Sequence, residues 1–209
     1  MVAIGAVVAT MPQLVAKKKK AAPAFNYYVL SLSWAPDFCA LPGKGKEPLE
    51  CGAGKKIGFV VHGLWPQTDN ERGPEDCGSA SPVVDSIVWT MLDYMLTPSL
   101  IQHEWTAHGT CSGLSAEDYF AAVRKARNSV TIPDAFKAPA QTLKLSPAAI
   151  EAAFAAANPS FPKTAFRTSC ISNALQEARV CFGKNLSPVA CTESAGECPA
   201  TTVKVLPLR

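Results

Sequence analysis

The chain has 209 residues, 48% of them hydrophobic and 18% charged, with a formal net charge of +3 and a mean hydropathy of +0.09. That is enough apolar material for one good core, too little length for two ordinary domains, and too hydrophobic for a disordered chain. Lys17, Lys18, Lys19 and Lys20 are the only charges in the first 24 residues, so the remainder carries 16 basic against 17 acidic side chains. Such a balance excludes a protein that holds nucleic acid mainly by neutralising phosphates.

In chain order, residues 1–16 form an apolar run interrupted by Pro12, short for a membrane span of about 20 residues. It reads as a secretory signal, with cleavage expected after Ala16 or after Ala24, where alanines flank Pro23. Residues 1–24 are thus a signal peptide with a basic and Ala-Pro leader, and residues 25–209 one domain. Phe25–Trp34 is a predicted strand by its aromatic and β-branched content, and Ile57–Val61 a short buried strand. Helices are signalled by Ser81 before Pro82 with a run to Leu96, and by Thr97 before Pro98 leading toward Gly109. Ser115 with Asp118 makes a capping box for a helix over Ala116–Asn128, and Ser146 opens another over Pro147–Ala157. Ala178–Phe182 and Thr201–Leu206 read as strands. These elements do not alternate as βαβ units, so the expected fold is α+β: a mainly antiparallel central sheet with several helices packed around it.

Eight cysteines, Cys39, Cys51, Cys77, Cys111, Cys170, Cys181, Cys191 and Cys198, are scattered without a C-x-x-C pair. They read as a disulfide set stapling one domain in an oxidising compartment, and no metal site is expected of them. A secreted or periplasmic location follows.

All three histidines fall in two short segments, VVHGLWPQ around His62 and HEWTAHGTC with His103 and His108. An isolated histidine is usually unremarkable; three beside Glu104, one at the end of a buried strand, point to chemistry. Imidazole titrates near neutrality, so a pair can act as base and acid. On a helix, Glu104 and His108 share a face, whereas His103 and His108 do not. The zincin motif H-E-x-x-H needs its histidines one residue closer, and no G-x-S-x-G elbow, P-loop or G-x-G-x-x-G fingerprint occurs.

The segments FVVHGLWPQ and HEWTAHGTC, with Trp34-Ala35-Pro36, Cys39 and the late LQEARVCF, resemble the ribonuclease T2 family of secreted endoribonucleases. The resemblance covers about Phe25–Leu206. It implies metal-independent cleavage of single-stranded RNA without a cofactor: the ribose 2′-OH attacks the adjacent phosphate, the 5′-oxygen leaves, and the 2′,3′-cyclic phosphate is hydrolysed to a 3′-phosphate. DNA lacks the 2′-OH and is not cleaved. Carried over by motif, His108 is the first base and His62 the acid, although the residues alone leave that assignment open; His103 holds the phosphate and Glu104 supports an imidazolium or orders the phosphate oxygens. Trp65, otherwise a core aromatic or a stacking platform, falls in the principal base site, with Gln67 beside it. The resemblance also implies the pairs Cys39–Cys51, Cys77–Cys111, Cys170–Cys198 and Cys181–Cys191, and a monomer with no membrane association once the leader is removed. One position departs: the family commonly has lysine before the last histidine of the second segment, and this chain has Ala107. That substitution motivates the alternative of a secreted RNA-binding protein that keeps the scaffold with weakened catalysis.

Overall fold

The computed structural model describes residues 24–43, 48–69, 72–192 and 195–208. The expected leader, through residue 23, lies outside the described residues. β1 (Tyr27–Trp34) runs antiparallel between β2 (Phe59–Gln67) on one side and β5 (Ala174–Gly183) on the other. The far side of β5 takes β4 (Phe166–Ile171) antiparallel and touches β6 (Val203–Val205) in parallel at Ala174; β6 pairs in turn with β3 (Leu143–Leu145). The result is the mainly antiparallel sheet of an α+β domain, with β2 at an edge.

The two-residue period of the strands divides the sheet into two faces. Tyr28, Leu30, Leu32 and Trp34 of β1, with Ala178, Val180 and Phe182 of β5, enter the main core. Helices cover that face, contributing Met91 and Met95 from α3 (Asp85–Met95), Ile101 from α4 (Pro98–Ala107), Phe120 and Val123 from α5 (Ala116–Ser129), and Ile150 and Phe154 from α6 (Pro147–Ala157). The opposite residues Tyr27, Val29 and Cys181 form a smaller cluster with Trp65 against it. Two single-turn helices, α1 (Ala35–Phe38) and α2 (Pro48–Cys51), follow β1 and are joined by the Cys39–Cys51 disulfide.

Three helix starts lie where their capping residues place them: Thr97, Ser115 and Ser146 each accept a hydrogen bond from the backbone N–H three residues on. α3 starts three residues later than the Ser81-Pro82 signal would have it. Its approach is extended, with the Val83 N–H donating to Gln102 of α4 at 2.8 Å, so that backbone is committed to a neighbouring helix instead. β4 carries no prior expectation; it joins β5 through Ser172 and Asn173, both at positive φ, the geometry of a type I′ hairpin turn without its usual glycine.

The largest difference from the sequence reading concerns the strand expected over Ile57–Val61, which continues through Gln67. Ser31 pairs with Gly63 and Leu32 with Val61, so His62 is the extra residue of a β-bulge. The bulge explains the broken apolar pattern: Val61 and Leu64, three apart, both face the main core. Pro66 is accommodated because β2 is an edge strand.

Candidate active site

His62 therefore does not mark a strand end. As the unpaired residue of the bulge it is turned out of the ladder, half-buried, and its ring reaches two carboxyl groups. Its Nδ1 lies 2.7 Å from Glu177 Oε1 on β5, and its Nε2 lies 3.7 Å from Glu104 Oε1 on α4. Glu104 is buried, with 1% of its side chain exposed. Its Oε2 accepts a hydrogen bond from Trp65 Nε1 at 2.9 Å and lies 4.0 Å from His108 Nε2. One carboxyl group thus stands between two imidazoles. Gly63 makes this possible, since a Cβ there would collide with Glu104 Oε2 and Trp65 Nε1.

His108 is the C-cap of α4, its N–H bonded to the Glu104 carbonyl at 3.1 Å. The loop before α3 fastens this end. Asp76 N–H donates to the Ala107 carbonyl at 2.8 Å, Cys77 N–H to Thr110 Oγ1 at 3.2 Å, and Cys77 is disulfide-bonded to Cys111. The other bridges are Cys170–Cys198 and Cys181–Cys191.

The four ionisable groups are driven in different directions. Burial raises Glu104 to about 7, more than the nearby His62 charge and the Trp65 bond can offset. Burial lowers His108 to about 4, assisted by the positive charges of His103 and His62. Burial also works against a charged His62, but the Glu177 hydrogen bond and the charges of Glu104 and Glu177 overcome it and leave the imidazole above its ordinary value. Glu177 is buried too, yet His62 and Arg179 hold it ionised down to about 2. Between these limits the site contains a protonated His62, a neutral His108 and a neutral Glu104 carboxyl, so the 4.0 Å approach of His108 to Glu104 is not an ion pair.

Not all the sequence-predicted residues converge. His62, Glu104, His108 and Trp65 do; His103 is exposed on α4, and a charge on it disfavours protonation of His108. Trp65 is not a free platform. His62 and His108 pack against its ring at centroid distances of 5.2 and 5.4 Å, and the Arg179 guanidinium carbon lies 5.3 Å from its centroid. Gln67 uses its Oε1 to accept from Gly73 N–H at 3.0 Å. Ala107 is buried, and as an alanine it gives this turn of the helix no cation.

Two cavities adjoin the cluster. One, of about 410 Å³, is lined by Trp65, Gln67, Arg72, Glu75, His108 and Arg179 among others. The second, of about 240 Å³, includes His62, Glu177, Val60, Leu100 and Gln176. Glu177 and Arg179 carry no expected role from the sequence beyond lying in LQEARVCF, although two opposite charges at alternate positions of a largely apolar strand are a sign of a polar partner on that face. Among the described residues no group of three His, Cys, Asp or Glu side chains is disposed to hold a metal ion.

The model of the ribonuclease T2 family matches residues 25–191. The chain belongs to the ribonuclease T2 family. Among curated relatives, it is 34% identical over 120 residues to a ribonuclease of Aeromonas hydrophila, covering 57% of this chain and 53% of that one. It is 33% identical over 121 residues to a probable ribonuclease of Haemophilus influenzae, covering 52% and 44%. The chain thus spans about half the length of these curated relatives. Solved structures extend the likeness over most of the fold. An RNase-related protein from Calystegia sepium superimposes with a TM-score of 0.68 at 22% identity, covering 89% of this chain and 98% of that one. A mutant of RNase MC1 in complex with 5′-UMP gives 0.65 at 22%, covering 86% and 97%. At such identities these structures establish the T2 ribonuclease fold.

Proposed function

We propose that this T2 family member is an endoribonuclease that cleaves single-stranded RNA by metal-independent transesterification to 2′,3′-cyclic phosphates, followed by hydrolysis to 3′-phosphates. The observation that carries the reading is the pairing of two imidazoles of opposite proton affinity on the two oxygens of one buried carboxyl. His108, neutral, takes the proton of the 2′-OH as that oxygen attacks phosphorus; His62, protonated, delivers a proton from Nε2 to the departing 5′-oxygen. In the hydrolytic step the roles exchange, with His62 activating water and His108 protonating the 2′-oxygen. Glu104 carries a proton near neutrality and its Oε1 is buried without a hydrogen-bond partner among the described residues. A non-bridging phosphate oxygen satisfies it, and that bond strengthens as charge builds in the phosphorane. The exposed His103 stands at the periphery of this arrangement.

The disulfides support a secreted or periplasmic location, and the near-neutral charge of residues 25–209 supports local recognition of RNA. The test is incubation of the protein with RNA homopolymers, and with DNA of matching sequence, in EDTA. Cyclic phosphates from RNA and intact DNA are expected. Intact RNA that is nonetheless bound would refute the enzyme reading in favour of an RNA-binding module, and cleavage abolished by EDTA would refute metal independence.

A further inference from the structure

We propose that Glu177 is the positioning residue of His62: its buried carboxylate, pinned by Arg179, holds the imidazole by Nδ1 so that Nε2 is the nitrogen presented to the reacting phosphate. This rests on the reading of His62 as the proton donor and adds the group that makes it one.

The geometry leaves Glu177 little other use. Its backbone is locked in the middle of the sheet, opposite Ser33 of β1 and Ser169 of β4. Its side chain is 1% exposed, and both oxygens are engaged: Oε1 with His62 Nδ1 at 2.7 Å, Oε2 with Arg179 Nε at 2.8 Å and Nη2 at 2.7 Å. Arg179 is anchored in turn, its Nη1 donating to the Ala195 carbonyl at 2.8 Å. The next residue, Gly196, has no side chain where a Cβ would strike Nη1. A carboxylate buried to this depth is costly unless fully paired, and here the chain of partners ends on an imidazole.

The bond to a carboxylate keeps a proton on Nδ1, which fixes the tautomer. Nε2 then alternates between N–H and lone pair while the ring stays in place, as a group that donates in one step and accepts in the next requires. Strand pairing cannot supply this orientation, because His62 is the residue the ladder skips. The charged or titratable groups facing His62 are Glu104 from α4, His108 at its end, and Glu177 and Arg179 from β5. The two β5 groups act oppositely on its proton, so removing them one at a time must give shifts of opposite sign.

The experiment is an NMR titration of the three imidazoles in the full chain, alongside the pH dependence of turnover on an RNA dinucleotide, for wild type, Glu177→Gln and Arg179→Met. Glu177→Gln should lower the His62 titration midpoint by about one pH unit or more, tenfold in proton affinity, and carry the basic limb of the rate profile with it. Arg179→Met, at a partly exposed position that tolerates change if Glu177→Gln fails to fold, should move both upward. A wild type that cleaves RNA while His62 titrates alike in all three proteins, or shifts the same way in both variants, overturns the inference and leaves the enzyme intact. A wild type without activity refutes the proposed function instead, and opposite NMR shifts would then still support the hold of Glu177 on His62.

Discussion

Replacing Glu104 by glutamine should stabilise the protein above neutral pH while impairing it as an enzyme. The unfolded chain releases the Glu104 proton near the ordinary 4.5, the folded chain only at about 7. Stability is therefore fully present below the lower value and falls as pH rises through the interval, since the unfolded state ionises first. The whole shift corresponds to about 3 kcal/mol, or roughly 6–12 °C in melting temperature for a chain of this size. Glutamine is neutral throughout, keeps a carbonyl for Trp65 Nε1, and avoids the loss. Urea unfolding of both proteins from pH 4 to pH 9 reads the contribution of Glu104 together with its coupling to His62, since His108 and Glu177 are common to both. The curves should agree at the acid end and diverge above pH 5, with glutamine the more stable. A difference that stays constant across the range would mean that Glu104 gives up its proton at an ordinary pH, and the assignment of a neutral carboxyl between the histidines would be lost.

Four further expectations concern activity. The kcat/KM profile for RNA should be a bell on the acid side of neutrality, its lower limb near pH 4 from His108 and its upper limb set by His62 and Glu104 as a coupled pair; an optimum at pH 9 would contradict it. His62→Ala or His108→Ala should each lower turnover by about 10²–10⁴, and unchanged cleavage by either variant would remove that residue from the mechanism. Gly63→Ala, which replaces no histidine, should lower turnover at least about tenfold by forcing Glu104 and Trp65 apart; wild-type rates would show that their contact is dispensable. Ala107→Lys should raise turnover by up to about 10² if a cation at the end of α4 reaches the phosphorane, and equal rates in the two proteins would rule out that role.

What could be read from the chain beforehand was local. Thr97, Ser115 and Ser146 announce their helices because a cap and its N–H partner are three residues apart. The histidine clustering is visible for the same reason, with Glu104 and His108 one helical turn apart. What escaped depends on distant strands meeting. Glu177 and His62 are 115 residues apart and become partners only through the pairing of β1 with both β2 and β5. The β4–β5 hairpin turns on Ser172-Asn173, which lacks the glycine that normally signals such a bend. His103 has the right residue type in the right segment, but at five residues from His108 the helix turns it outward, and only the built helix shows how far.

If His62 were deleted, Val61 and Gly63 would become neighbours already opposite Leu32 and Ser31, and the ladder would close without a gap, with Leu64 and Trp65 still facing as they do now. The histidine is supernumerary to its own strand: the pairing of β1 with β2 does not require it, and what it satisfies is the buried Glu177 carboxylate across the sheet.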